Sequence, residues 1–254
     1  MNDHPGAQRL YPPWWDHQRH VLVGLRRAIE TVLQSHVGGA PSPSPLPRGG
    51  EGKLKGMRVA DLGCGDRPYE PLIRAHGCDY IGCDLDDAAE VRIQPGQPLP
   101  LADGSMDGVV SFQVLEHVWD LDWYLGECRR LLKPGGWLLL STHGVWLYHP
   151  HPTDFRRWTR DGLRDELQLR GLRVEASVPV VGPLAWTTLF RLLGFRHALS
   201  KIPYLGAAIC YPLAVLMNLR MAVEDAVTPK SIRETNACVY VMLARKSAPP
   251  GAST

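Results

Sequence analysis

Val59-Ala60-Asp61-Leu62-Gly63-Cys64-Gly65-Asp66-Arg67-Pro68 is the stretch whose reading decides the fold. A short apolar run ends in an acid, glycines follow at 63 and 65, and a helical stretch opens after Pro68. The glycines let the chain turn sharply and bring bare backbone close to a ligand at the carboxyl edge of a sheet, where doubly wound folds bind small molecules. A dinucleotide-binding loop would carry glycine at position 68, but Pro68 lacks the amide donor that a phosphate at a helix N-terminus uses. Asp61 is likewise a poor neighbour for a pyrophosphate and a good one for a cation. A second apolar run, Tyr80-Ile81-Gly82-Cys83-Asp84, also ends in an acid, 21 residues after Gly63. A carboxylate there can accept both hydroxyls of a ribose.

Outward from this motif, Met57–Leu62, Asp79–Cys83, Gly108–Phe112 and Trp137–Ser141 read as buried parallel strands, with helices at Tyr69–Ala75 and Leu121–Leu132 between them. Strand alternating with helix predicts a doubly wound sheet. Lys133-Pro-Gly-Gly136 is a helix stop and turn, and a helix at Arg160–Leu169 leads to a strand at Leu172–Val178. Ala237–Ala244 is an apolar strand with no helix after it.

The flanks differ in texture. Trp14–Leu33 repeats its apolar positions at helical spacing, so 1–37 is an N-terminal helical segment, while the Pro/Ser/Gly tract at 38–55 reads as a flexible linker. The main domain is then 56–245 and the tail 246–254 disordered. Within the domain, 179–230 is an apolar helical insertion in which Ile202–Leu219 carries no charge over 18 residues. That is the lower limit for a membrane span. Pro203, Gly206, Pro212 and Asn218 interrupt it, so the expectation is a helical hairpin packed on the domain as a soluble cap, with peripheral membrane contact as the other reading.

Composition excludes several classes. The 254 residues are 44% hydrophobic, enough for a core, and carry 28 Lys+Arg against 26 Asp+Glu with no basic stripe, so no nucleic-acid partner is expected. The six cysteines form no CxxC pair and no secreted-domain spacing, and Met1–Leu10 shows no signal-like apolar run, which points to the cytoplasm.

The ordered blocks Asp61-Leu-Gly63-Cys-Gly65, Asp84, Leu99-Pro-Leu-Ala-Asp103-Gly-Ser-Met-Asp107, Ser111-Phe-Gln-Val-Leu-Glu116-His117-Val and Leu132-Lys-Pro-Gly-Gly136 resemble those of the class I S-adenosylmethionine-dependent methyltransferases, in particular the type 11 small-molecule subgroup. The resemblance covers roughly Arg58–Leu167. It implies a seven-stranded, mostly parallel Rossmann-like α/β sheet with an antiparallel last strand and the insertion between strands six and seven. It also implies S-adenosylmethionine as cofactor, with the Gly63-Cys64-Gly65 loop at the methionine moiety, Asp84 at the ribose, Gln113 flanking the methyl group, and Leu85 among the cofactor-binding residues. The positive sulfonium and amino groups of that cofactor suit Asp61. Where the family often places an acid for the adenine amino group, this chain has Gln94-Pro-Gly-Gln97.

Some relatives bind a divalent metal through E-x-x-E-H, but Gln113 stands at the first acidic position here, so no metal is expected and His117 reads as a packing or cofactor-flanking residue. After the fifth strand, Thr142–Thr159 carries His143, His149, His151, Asp154, Arg156, Arg157 and Trp158. A histidine there can take the proton of an acceptor hydroxyl, and His149 with Asp154 is the expected catalytic pair, with His143 and His151 as competitors. The plainer reading makes Asp154 and Thr159 helix caps. Arg156, Arg157 and Trp158, with Trp14, Trp15 and the N-terminal helix, are candidates for a pocket wall facing an anionic or sugar-like acceptor, or else anchors of that helix to the core, and Trp119 and Trp123, on a helical period, for packing. The expected reaction is in-line O-methylation of a small-molecule, glycan or lipid-linked acceptor. The alternatives are a non-catalytic cofactor-binding protein and an RNA methyltransferase, and the oligomeric state is left open.

Overall fold

The computed structural model describes residues 6–37, 54–199, 201–202 and 205–247. Seven strands, β1 (Arg58–Leu62), β2 (Asp79–Asp84), β3 (Val91–Arg92), β4 (Met106–Phe112), β5 (Leu132–His143), β6 (Leu172–Val180) and β7 (Val239–Lys246), form one sheet in the order β3-β2-β1-β4-β5-β7-β6. The pairs from β3 through β5 are parallel, and β7 runs antiparallel between β5 and β6. This is the Rossmann-like sheet with an antiparallel last strand. The chain leaves β1 toward β2 on one side and returns to β4 on the other, so the order reverses between β1 and β4. A crevice opens at such a switch point beyond the carboxyl ends of the strands.

The sheet is covered on both faces. A one-turn helix, α1 (Ala7–Leu10), opens the described chain; on one face α2 (Arg19–Val32), α3 (Glu70–Ala75), α6 (Pro183–Leu199) and α7 (Leu205–Val227) share a core with Val59, Val110, Leu139 and Val241, and on the other α4 (Leu121–Leu131) and α5 (Arg160–Leu169) pack over Ala60, Val109, Leu138 and Met242. Alternation along each strand supplies one residue to each core. Gly108 sits where the Trp137 ring lies flat on β4: a Cβ there would come 2.2 Å from that ring. Lys133–Gly136 loop out of β5, so Leu132 pairs with Met106 and Trp137 with Gly108.

The N-terminal helix starts at Arg19, later than periodicity predicts, because Asp16 turns the chain: its Oδ1 accepts from the Gln18 amide (2.7 Å) and its carbonyl from the Arg19 amide (3.2 Å). Val21, Leu25, Ala28, Ile29 and Val32 form its buried stripe, and a short wide-wound turn, Leu33–Val37, extends it. Most of the 38–55 tract lies outside the described residues, but Leu54 is buried in the core and is not linker. Lys246 pairs with Leu172 as the last residue of β7, and 248–254 lie outside the described residues.

Between β6 and β7 stand α6, α7 and a short α8 (Lys230–Thr235). Helix α7 runs unbroken through Pro212 and Asn218, against the expected interruption. A proline inside a helix costs about 3 kcal/mol, and packing against α6 offsets it. Asn218 is useful rather than disruptive: its side-chain amide donates to the carbonyls of Trp14 (3.1 Å) and Asp16 (2.8 Å), tying the N-terminal segment to the hairpin. His20 Nε2 lies 2.6 Å from Asp225 Oδ2, whose Oδ1 accepts from the Gly182 amide (2.7 Å).

Two glycine substitutions test this packing in opposite directions. Gly108→Ala should destabilise by about 1–3 kcal/mol through overpacking, whereas Gly126→Ala, exposed inside α4 with nothing near its Cβ position, should stabilise by about 0.5–1 kcal/mol. Urea midpoints at unchanged m would register both.

Candidate functional site

Asp61 lies between Gly82 of β2 and Val110 of β4 in register and is only 2% exposed. Tyr80, one strand over, donates its hydroxyl to Asp61 Oδ2 at 2.7 Å. Burial pushes the Asp61 carboxyl up to about 7; the Tyr80 hydrogen bond opposes this, the charges of Asp84 and Glu70 add to it, and Arg67 opposes it. A buried carboxylate poised near neutrality gains most from a cation brought against it.

The loop after β1 is held by its amides. Gly63 and Cys64 both donate to the Cys83 carbonyl (2.8 and 3.1 Å). Gly63 has φ 84°, and a Cβ there would strike Val114 at 2.4 Å, so glycine is required on two counts. Gly65, at φ 52°, faces open space and donates to Asp84 Oδ2 at 2.7 Å, while Asp84 Oδ1 accepts from the Leu85 amide at 2.7 Å. Asp84 thus braces the glycine loop and keeps a second lone pair on each oxygen. Burial, with Asp61 adding to it, lifts the Cys64 thiol to about 12, which removes it as a nucleophile.

A cavity of about 230 Å³ opens at the switch point. Asp61, Gly63, Cys64 and Gly65 line one side, Gln113, His143, Trp146 and His149 the other, and Gln18, Val21, Leu22 and Leu25 of the N-terminal helix roof it. Asp84, Leu85 and Asp154 do not line it. Gln113 takes a left-handed turn (φ 58°); its main-chain N–H donates to the Ser141 carbonyl (2.9 Å) and its side-chain amide to Ser141 Oγ (3.0 Å). Gln94 and Gln97 are both exposed, and the Gln97 carbonyl accepts from the Trp123 indole (3.0 Å).

On the far side, the expected His149–Asp154 pair is assembled differently. Asp154 Oδ2 accepts from the His149 main-chain N–H (2.9 Å), not from the ring, and Arg157 Nη2 grips the same oxygen at 2.6 Å. Arg157 holds the Asp154 carboxyl down at about 2. Asp154 therefore positions a loop and leaves the imidazole to others. Thr159 alone caps α5, its Oγ1 accepting from the Gly162 amide (3.1 Å).

The imidazole–carboxylate contact falls to His143 and Glu116: Nδ1 and Oε1 stand 2.8 Å apart, with Glu116 fully buried. Burial would raise the Glu116 carboxyl, but His143 beside it, helped by Thr142, brings it below its ordinary value. Trp146 stacks on the His143 ring at 4.8 Å and 8°. His149 lies edge-on to His117, His143 and His151, with ring centroids 5.0, 5.4 and 5.0 Å away. Burial and then the neighbouring imidazoles lower its pKa to about 4, so it is neutral in ordinary buffers.

Sequence reasoning missed Glu116 as the partner of His143, because they are far apart in the chain. The usable signal was strand order: β4 and β5 are parallel neighbours, with Phe112 opposite Ser141, so the segments that leave their carboxyl ends share one edge. The N-terminal helix, expected as part of a pocket wall, does line the cavity, through Val21, Leu22 and Leu25. Arg156 and Arg157 are spent on main-chain carbonyls and Asp154, and Trp14 and Trp15 are 51% and 55% exposed and do not line the cavity. Trp119 is 70% exposed, packed at the surface between the Arg156 guanidinium and the edge-on Phe155 ring rather than in the core.

A family model described as a methyltransferase domain matches residues 37–197. A Mycolicibacterium smegmatis protein named a probable S-adenosylmethionine-dependent methyltransferase is 33% identical over 50% of this chain and 56% of its own length. A ubiquinone biosynthesis O-methyltransferase of Sinorhizobium fredii is 30% identical over 51% and 58%. The chain thus spans little more than half the length of these relatives. Among solved structures, the [4+2]-cyclase SpnF aligns with TM-score 0.51 at 20% identity over 77% of each chain. The Haemonchus contortus phosphoethanolamine N-methyltransferase 2 aligns at 0.51 and 14% over 96% and 60%, which speaks to fold alone. With the family model covering most of the chain and the glycine loop, acids and strand order all in place, this chain belongs to the methyltransferase-domain family of class I S-adenosylmethionine-dependent methyltransferases.

Proposed function

We propose that this chain transfers the methyl group of S-adenosylmethionine to a hydroxyl oxygen of a small-molecule, glycan or lipid-linked acceptor. The observation that carries this is a single cavity with a glycine loop and a buried, near-neutral Asp61 on one side and a Glu/His cluster on the other. The residues fit the cofactor: Gly65 leaves open space where a side chain would stand, and Asp61 and Asp84 both retain acceptor capacity.

Asp61 takes the amino group of the methionine end and Asp84 the ribose hydroxyls, while Gln113 and Phe112 close the methyl end against water. When bound, the cofactor supplies a methyl group already activated by a sulfonium. The protein's main task is therefore alignment. His143 and the neutral His149 line the far wall of the cavity, where an imidazole would take the proton of an acceptor hydroxyl.

The helical insertion supports an acceptor with an apolar part. Among the described residues one helix is long and apolar enough to cross a membrane, Gly206–Val227, with mean hydropathy 1.5 and only 22% of that window buried. Ala214, Asn218 and Met221 face inward, while Ile209, Leu216, Leu219, Val223 and Val227 are exposed. Exposed Lys201 and Lys230 flank this stripe, with Arg220, paired to Glu224, inside it, and basic flanks suit anionic headgroups. Beside it, a second cavity of about 470 Å³, walled by Trp15, Leu192, Ile202 and Ala214 with Arg196, has room for an apolar chain. We read the hairpin as resting on the cytoplasmic membrane face.

Calorimetry with S-adenosylmethionine, followed by transfer of labelled methyl to aqueous and lipid extracts, tests the reading. Binding without turnover on any fraction would instead favour a non-catalytic cofactor-binding protein. Asp84→Ala should weaken cofactor binding by roughly 10–100-fold, the worth of hydrogen bonds to a charged acceptor. Affinity should also rise with pH. Asp61, faced by Tyr80, Asp84, Glu70 and Arg67, is protonated below about 7, and the bound ammonium selects its ionised form. Below that pH, affinity should fall by up to about tenfold per unit. Asp61→Asn should bind weakly and lose this slope. Leu216→Asp with Val223→Asp should abolish sedimentation with anionic vesicles and leave cofactor affinity unchanged; a dimer that dissociates in this variant would instead assign the stripe to self-association.

A further inference from the structure

Glu116, His143 and His149 each bring one potential ligand atom to a common point at the acceptor side of the cavity, all within 4.8 Å of one another. Glu116 is fully buried and His143 is 4% exposed. Glu116 Oε1 and His143 Nδ1 are 2.8 Å apart, yet their orientation makes no hydrogen bond, and each is a buried polar atom without a hydrogen-bond partner. Such atoms are rare, because each gives up its hydration without a partner in return. An imidazole nitrogen and a carboxylate oxygen this close, both buried and off hydrogen-bond geometry, can serve as two ligands of one ion.

We infer that Glu116, His143 and His149 form a divalent transition-metal site of the zinc type. Two imidazoles and one carboxylate suit zinc and its neighbours in the first row, whereas magnesium and calcium favour oxygen donors. This is not the E-x-x-E-H arrangement. Gln113 stands in place of the first acid with its amide committed to Ser141 Oγ, and His117 Nδ1 is engaged by the Thr153 carbonyl. The supports around the three ligands are in place. Thr142 Oγ1 donates to Glu116 Oε2 at 2.7 Å, leaving Oε1 free for an ion; Trp146 fixes the plane of His143; Asp154 holds the His149 main chain. Such outer contacts orient metal ligands and raise affinity. With zinc–nitrogen and zinc–oxygen bonds of about 2.0–2.2 Å, the ligand atoms of a tetrahedral site stand about 3.3–3.5 Å apart. A swing of the half-buried His149 ring by about 1–1.5 Å meets that.

Three protein ligands leave a coordination position open, and His143 and His149 both line the cavity. An acceptor hydroxyl in that position is acidified. Its proton passes to water, the oxygen–methyl bond forms as the methyl–sulfur bond breaks, and the products are a methyl ether, S-adenosylhomocysteine and a proton, with no oxidant or reductant needed. This use rests on the methyl-transfer reading above and changes His149 from proton acceptor to ligand; metal binding itself does not depend on that reading.

The test is titration of the chelator-treated full chain with Zn²⁺ by calorimetry and metal analysis, with Co²⁺ absorption as an independent report of the donor set. One equivalent should bind, with nitrogen and oxygen but no thiolate ligation. His149→Gln, in a loop outside the core, and Glu116→Gln should each weaken binding by roughly tenfold or more, with circular dichroism confirming that both are folded. Cys210→Ser should change nothing. Absence of stoichiometric binding, or binding unaltered in folded His149→Gln, overturns the inference. Zinc binding in a protein that fails to bind S-adenosylmethionine would retain the metal site and remove the methyl-transfer reading instead.

Discussion

A carboxylate buried at the end of a parallel strand constrains everything around it. Asp61 is almost wholly buried at the wall of the cavity, flanked by β2 and β4, and Tyr80 donates a hydrogen bond to its carboxylate. A charge there is costly unless something answers it. The chain answers only partly, with a neighbouring strand's hydroxyl and a more distant Arg67. The remainder of the site is shaped as the place where a cation completes that balance. The glycine loop exists in its form because a side chain at 63 would collide with Val114, and the acid of the next strand is used to hold it.

The sheet order turns this local arrangement into a two-sided site. Because the order reverses between β1 and β4, the crevice has one wall from β1 and β2 and another from the segments that leave the carboxyl ends of β4 and β5. The first wall carries the acids and the glycines. The second carries Glu116, His143 and His149, brought together by the parallel pairing of β4 with β5. The antiparallel β7 extends the sheet so that the helical insertion returns beside α2, and His20–Asp225 and Asn218 lock roof and hairpin together. Binding site, roof and apolar hairpin are thus one mechanically linked unit.

Where sequence reasoning and structure part company, the reason is the same each time: a side chain's partner is chosen by space rather than by spacing. Asp154 lies five residues from His149 and reads as its orienting acid, but the loop folds so that Arg157 takes both its oxygens. Trp119 matches a helical period, yet it precedes α4 and lies on the surface under Arg156. Pro212 reads as a helix breaker, but the packing of α6 against α7 outweighs one lost hydrogen bond.

The order of elements, the acid-ended strands, the glycine turn and the class of ligand were legible in the sequence itself, because each depends on residues close together in the chain. Hydrophobic period, positive-φ glycines and strand-end carboxylates are local physics. The meeting of Glu116 with His143 and the neutral His149 among other imidazoles were decided only in three dimensions, because they depend on which strands lie side by side and on how much water each group loses. Electrostatics at a site is set by burial and by partners, and neither is written at a fixed distance along the chain.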